Sequence, residues 1–329
     1  MEVDKEIQKV QNEIQKVKNI MDIKKQILKL RKIKPNSINA YLIILKKLND
    51  NRPIEDLEFL KNTENIMGQI QKKALTARRN YIGALLVAVP LMKDHEKLLE
   101  FYQDELKIVN AEYQVEVASH KKSVTQEKNW MTQSGIRGIY NKYKVLMKRE
   151  KYNLKESLTI SEFNILTNFV VVSLYVLLKP VRLDFAPMKV IKSDNSDDDK
   201  SNFLVIKSRN IKYFIINEYK SSKSYGKIKI EVPSELNTIL NLYLKFHLKA
   251  GESFLLNSRG GALTANNLSK LITTSFGRYT NKNITVNLLR HIFISENVSI
   301  KDEEQLRKEE EIAKSMMHSK ASQISYYKI

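Results

Sequence analysis

Three short clusters toward the C-terminus carry the side chains best suited to chemistry: Val286-Asn287-Leu288-Leu289-Arg290-His291, Met316-Met317-His318-Ser319 and Ser325-Tyr326-Tyr327. Two more lie upstream, Lys179-Pro180-Val181-Arg182-Leu183-Asp184 and Glu218-Tyr219-Lys220-Ser221-Ser222. Guanidinium, ammonium, imidazole and phenol together suit phosphoryl transfer. An arginine stays charged at any physiological pH and offers forked donors to the nonbridging oxygens of a phosphate whose charge must be neutralised in the transition state. A tyrosine hydroxyl supplies a nucleophile, and a lysine or histidine a proton for the departing oxygen. There is no cysteine in the 329 residues, which excludes disulfides, thiolate zinc sites and thiol nucleophiles.

The charge balance points to the substrate class. Lys and Arg number 56 against 37 Asp and Glu, a net charge of +19. A surplus of that size favours a polyanion through phosphate neutralisation and counterion release, which makes nucleic acid the leading partner. An anionic membrane is the weaker alternative, because the basic residues are spread along the chain and not gathered on one amphipathic helix. The first ten residues, MEVDKEIQKV, alternate charge with apolar residues and lack the continuous apolar core of a signal peptide. The longest apolar run, Phe169 to Leu178 with only Ser173 interrupting it, falls short of the ~20 residues that span a bilayer and reads as a buried helix.

The elements that must position the chemical residues fall into two blocks. EIQKV occurs at 6–10 and again at 13–17, spacing Ile7, Ile14, Met21 and Leu28 by seven with Val3, Val10 and Val17 between. That predicts an N-terminal helix over 1–33, serving either as an oligomerisation coiled coil or as an amphipathic helix folded onto its own domain. Helical periodicity continues over 38–48, 54–70, 74–92 and 96–117, giving a helical domain over 34–118. Within it Lys72, Lys73, Arg78 and Arg79 suit either phosphate contacts or a solvated face. The polar stretch 119–129 reads as a linker. Beyond it, helices are expected at 130–147 and 159–178, strands at 186–191, 203–206, 211–216 and 227–232, and helices again at 233–248, 263–280, 285–297 and 302–317. The stretch 193–201 reads as a solvated hairpin loop. The fold class is therefore mainly α with a small antiparallel β-sheet, an α+β arrangement with the chemistry in the block 130–329.

The order and spacing of the clusters resemble the tyrosine recombinase (integrase) family. Its second box is His-x-x-Arg-His on a helix, its third a Gly-His-Ser motif, and its nucleophilic tyrosine follows the third-box histidine by nine residues, which from His318 is Tyr327; only that spacing separates it from the neighbouring Tyr326. Arg182 stands where the family has its first-box arginine, after a buried helix. Lys220 stands at the point of the family's β-hairpin lysine, with Lys223 as the alternative. Asn287 replaces the usual second-box histidine and Met317 the glycine before His318. The motifs cover roughly 130–329, while 34–118 matches a core-binding, DNA-binding domain by size and position.

The resemblance implies a catalytic set of Arg182, Lys220, Asn287, Arg290, His318 and Tyr327, acting on double-stranded DNA through a 3′-phosphotyrosine intermediate. No metal, nucleotide or other cofactor is implied, since the phosphotyrosine bond conserves the energy of the broken phosphodiester. It also implies a homo-oligomer, a tetramer on paired DNA sites, working inside a cell at the DNA, without membrane association, in the manner of the integrases of viruses and mobile elements. Asn287 cannot act as a base near neutral pH, and His291 is the other candidate to take the tyrosine's proton. A type IB topoisomerase-like relaxing enzyme and a catalytically inactive DNA-binding or architectural protein are the alternatives.

Overall fold

The computed structural model describes residues 22–31, 33, 35–193, 198–247, 253–298 and 303–328. The chain divides into two compact units, Met1–Ser119 and His120–Ile329.

In the first unit, helices α1 (22–30), α2 (Pro35–Leu48), α3 (Thr63–Gln71), α4 (Leu75–Ala88) and α5 (Glu96–Ala118) surround a core that includes Ile27, Ile38, Leu60, Ile70, Ile82 and Tyr102, each at or near complete burial. Asn62 caps α3 by accepting the backbone N–H of Asn65, and the Tyr102 hydroxyl donates to the Leu60 carbonyl. The heptad positions Val3, Ile7, Val10, Ile14, Val17 and Met21 lie outside the described residues. Where the pattern enters them, Ile23 and Ile27 are buried in this unit's own core while Leu28 is 45% exposed. The stretch 22–30 therefore packs as an amphipathic helix on its own domain. Arg78 and Arg79 have intramolecular work. Arg78 donates to the carbonyls of Gln71 and Lys73 at the C-terminal end of α3, where a cation is favoured. Arg79 donates to Asn110 and stacks on Tyr113, its guanidinium 4.0 Å from the ring centre, which joins α4 to α5.

The second unit is built round α8 (Ile160–Leu177), which packs against α7 (Gln133–Arg149), α10 (Ser234–His247) and α11 (Ala265–Gly277). Thr159 and Glu162 form a capping box that starts α8. By length and composition this helix would also pass for a membrane span. Here Leu166, Val170, Val171, Val172 and Leu174 are buried in the core, each such side chain contributing on the order of 2 kcal/mol. Before α7 the polar stretch contains a short helix, α6 (Val124–Asn129), begun by a Ser123–Gln126 capping box. Four strands follow α8: β1 (Lys189–Ile191), β2 (Phe203–Ile206), β3 (Lys212–Ile216) and β4 (Ile228–Glu231), in that spatial order. A one-turn helix, α9 (Ser222–Tyr225), precedes β4, and α12 (Val286–Asn297), α13 (Glu303–Ser315) and α14 (Lys320–Tyr326) complete the unit.

The fold is mainly helical with a small sheet, but the sheet is mixed and not antiparallel. β1 pairs with β2 in parallel, Lys189 opposite Phe203, so the two strands are not the arms of one hairpin; of the stretch 193–201 between them, 194–197 lie outside the described residues. Only β2–β3 and β3–β4 are antiparallel. One buried side chain organises the start of β2. Asn202 donates to the carbonyls of Asp184 and Glu218 and accepts the N–H groups of Asn217 and Glu218. That joins the chain just after Arg182 to the chain just before Lys220. Asn202→Ala strands these groups, and the expected result is a loss of about 3 kcal/mol in denaturant unfolding of the second unit, against little change for a surface Asn→Ala such as at Asn210.

Candidate active site

Arg290 sits in the middle of α12, which Thr285 starts by accepting the Leu288 N–H. Its side chain is completely buried. Nη1 donates to the carbonyls of Pro180 and Met316, both at 3.3 Å; Nε and Nη2 have no partner at full hydrogen-bond geometry, and the Tyr326 side chain interacts favourably with the guanidinium. Burial holds its pKa below the usual arginine value.

His318 comes from the turn between α13 and α14, and the turn's geometry is specific. Met317 has φ +56°, in the left-handed region; its N–H bonds the Lys314 carbonyl and the His318 N–H bonds the Ala313 carbonyl. This is a Schellman C-cap with methionine in the position that glycine normally takes, at a cost of about 1 kcal/mol. The Met317 side chain is fully buried in the core, which offsets that strain. Its carbonyl accepts from Arg182 Nη1 at 2.8 Å and from Ser221 Oγ at 2.9 Å. A single turn thus brings together the arginine after α8, the residue beside Lys220 and His318. Met317→Gly relaxes the backbone but empties the buried site, and the expected net effect is a loss of about 2 kcal/mol in chemical denaturation.

His318 itself is fully buried, with Nδ1 3.1 Å from the Ser319 carbonyl and Nε2 without a partner. A carbonyl only accepts, so Nδ1 carries the proton and Nε2 is a bare lone pair. Desolvation, reinforced by the positive Arg290, lowers its pKa to about 4. Asp184, whose Oδ2 is also unpartnered, is shifted the other way: burial raises its carboxyl, with Arg182 and Arg290 opposing.

The tyrosine pair divides. Tyr326, the last residue of α14, lies over Arg290 with its ring centre 4.7 Å from the guanidinium carbon, and its ring also meets His291 at 4.7 Å and His318 at 5.7 Å. Tyr327 has left the helix, with φ −67° and ψ 132°, and its ring meets His120 edge-on at 5.4 Å. Of the two rings, the one that lies over the buried arginine is that of Tyr326. His291, lowered to about 4 mainly by burial, holds the Tyr326 carbonyl through Nδ1 at 2.6 Å.

The other expected residues stand at the edge. Arg182 is half-buried, and Tyr175 donates to its carbonyl. Lys220 is exposed in the turn between β3 and α9, with Lys223 exposed on α9; Asn287 is exposed on the first turn of α12. Sequence reasoning did not single out Ser221, Asp184 or Asn202; only their adjacency to Lys220 and Arg182 could have drawn attention to the first two.

No family model and no curated protein matches the sequence. Among solved structures the chain is similar to the crystal structure of XerA recombinase, at 13% sequence identity and a TM-score of 0.39, over 95% of this chain and 94% of that one. A likeness at that score lends nothing to the chemistry argued from the residues themselves.

The two lowered histidines set a pH dependence. Between pH 6.5 and 4 the unfolded chain binds protons that the folded chain does not, so stability rises with pH through this window, is complete above 6.5 and is lost as pH falls toward 4. For His318 the expected loss between pH 7 and pH 5 is about 2 kcal/mol, measured by denaturant melts, and His318→Gln flattens that part of the profile.

Proposed function

We propose that this chain is a DNA strand-exchange enzyme that cleaves and rejoins duplex DNA through a 3′-phosphotyrosine intermediate, as a tyrosine recombinase does. The observation that carries the reading is the buried Arg290, with Nε and Nη2 unpartnered, beside the unpartnered Nε2 of His318, the half-buried Arg182 and a tyrosine ring. Buried donors without acceptors are rare, and a catalytic role or a bound ion is among the reasons a protein keeps one. Two guanidiniums bonded to the successive carbonyls of Met316 and Met317, with the imidazole of the next residue, suit the nonbridging oxygens of a phosphodiester, and the net charge of +19 suits the DNA that carries it.

The roles follow from chemistry. Arg182 and Arg290 neutralise the pentacoordinate phosphorus. His318 binds a phosphate oxygen once the anion's charge has raised its proton affinity and Nε2 has gained a proton. Tyr326 is the nucleophile this geometry favours, and Tyr327 the one the nine-residue spacing favours. Lys220 donates the proton to the departing 5′ oxygen. Asn287, exposed and without basic character, contributes at most a hydrogen bond to the DNA. The working form is a homo-oligomer on paired DNA sites.

A nicked suicide duplex, from which the leaving strand diffuses away, traps the covalent adduct. Tyr326→Phe is expected to abolish the adduct and Tyr327→Phe to retain it, with salt-sensitive DNA binding intact in both; the reverse pattern moves the nucleophile to Tyr327. Arg290→Ala is expected to slow adduct formation at least about 100-fold, the scale of one lost transition-state donor. Lys220→Ala is expected to recover on a 5′-bridging phosphorothioate, whose leaving group needs no proton. Retention of DNA without any adduct in the unmodified chain identifies a DNA-binding protein and sinks the enzymatic reading.

A further inference from the structure

The backbone around the tyrosine pair is held at three successive residues. His291 Nδ1 bonds the Tyr326 carbonyl at 2.6 Å, and the Lys328 N–H bonds Ser295 Oγ at 2.7 Å. Those two anchors lie on α12, four residues apart and so on one face. The third comes from the far end of the sequence: His120 Nδ1 is 3.3 Å from the Tyr327 carbonyl, and its ring stands edge-on to the Tyr327 ring at 84°. Because a carbonyl only accepts, His120 is the donor.

His120 is the first residue of the second unit, at the point where the chain leaves α5. Its φ of +51° is in the left-handed region, which a residue with a β-carbon occupies at a cost of about 1 kcal/mol or more. The contacts with Tyr327 are what this conformation secures. They also decide a question that α14 leaves open. Tyr327 is the residue at which the helix unwinds, so its direction is set by whatever holds it outside the helix. His120 holds it to one side, and Tyr326 is left facing Arg290 and His318.

We propose that His120 is a positioning residue for the tyrosine pair: it fixes which hydroxyl is presented to Arg290 and ties that choice to the segment joining the two units. The inference rests on the phosphotyrosine reading above for its consequence, but not for the contact itself.

The test uses the full chain with His120→Ala and His120→Asn. Asparagine tolerates the left-handed conformation and keeps an N–H donor, so it preserves the carbonyl contact. Adducts on the suicide duplex are digested and the attached tyrosine is identified by mass spectrometry. In the unmodified chain the attachment is expected at Tyr326 alone. In His120→Ala it is expected to form roughly tenfold more slowly and to be divided between Tyr326 and Tyr327, because a misplacement of about 1 Å is enough for such losses. His120→Asn is expected to restore the single site. A residue that merely stabilised the fold would lower the melting temperature of His120→Ala without dividing the attachment. Hydrogen exchange of the 324–328 amides supplies a readout that needs no activity: His120→Ala is expected to speed it and His120→Asn to leave it near the unmodified rate. Unchanged exchange, or attachment at the same tyrosine at the same rate, overturns the role of His120. Absence of any adduct in the unmodified chain, with exchange responding as expected, removes the reaction and leaves the latch.

Discussion

A charged guanidinium with two nitrogens left bare in the interior is the constraint on which the second unit is arranged. Removing Arg290 from water without full pairing costs several kcal/mol. The unit offsets part of this with two backbone carbonyls, from Pro180 and Met316, and with the ring of Tyr326 lying over the guanidinium. The buried carboxyl of Asp184 adds a compensating interaction, and the pull is mutual: Asp184 favours charge on Arg290, while the two arginines limit how far burial raises Asp184. What remains unpaid is an edge of donors facing inward.

The surrounding structure makes sense as support for that edge. α13 ends in a left-handed methionine so that one carbonyl, that of Met317, can take hydrogen bonds from Arg182 and from Ser221. Asn202 fixes the backbone just beyond Arg182 against the turn that carries Lys220. The histidines are kept neutral by the same desolvation that strands the arginine. Ordering these residues thus depends on backbone carbonyls and one buried amide more than on ion pairs.

How far the sequence reaches is clear from particular elements. The helix α8 announces itself by a continuous apolar run between a Thr-x-x-Glu capping box and Lys179-Pro180, and α12 by Thr285 ahead of an apolar stripe. Arg290 and His318 are found by their spacing because both lie on or beside well-formed helices. The parallel pairing of β1 with β2 was not visible, since three- and four-residue strands carry no signal of direction and the pairing is decided by the distant contacts of Asn202 and Ser253. Which tyrosine lies over Arg290 has a local cause that a spacing does not carry. The nine-residue count from His318 points to Tyr327, and Tyr327 is the residue where α14 stops and its backbone becomes extended. The left-handed Met317 was equally hidden: methionine gives no hint of positive φ, and only the two bonds of the C-cap reveal it.

The account stands or falls on whether the bare edge of Arg290 receives the charge of a scissile phosphate. The most direct measurement compares adduct formation on two suicide duplexes, one with the natural phosphodiester and one with a methylphosphonate at the cleavage point, in which a neutral methyl replaces a charged nonbridging oxygen. If Arg290 neutralises that oxygen, Arg290→Ala is severely slowed on the phosphodiester and recovers at least about tenfold relative to it on the methylphosphonate, because the charge the arginine would have met is gone. An Arg290→Ala chain that is equally slow on both duplexes, or that cleaves the phosphodiester at the unmodified rate, would contradict the account.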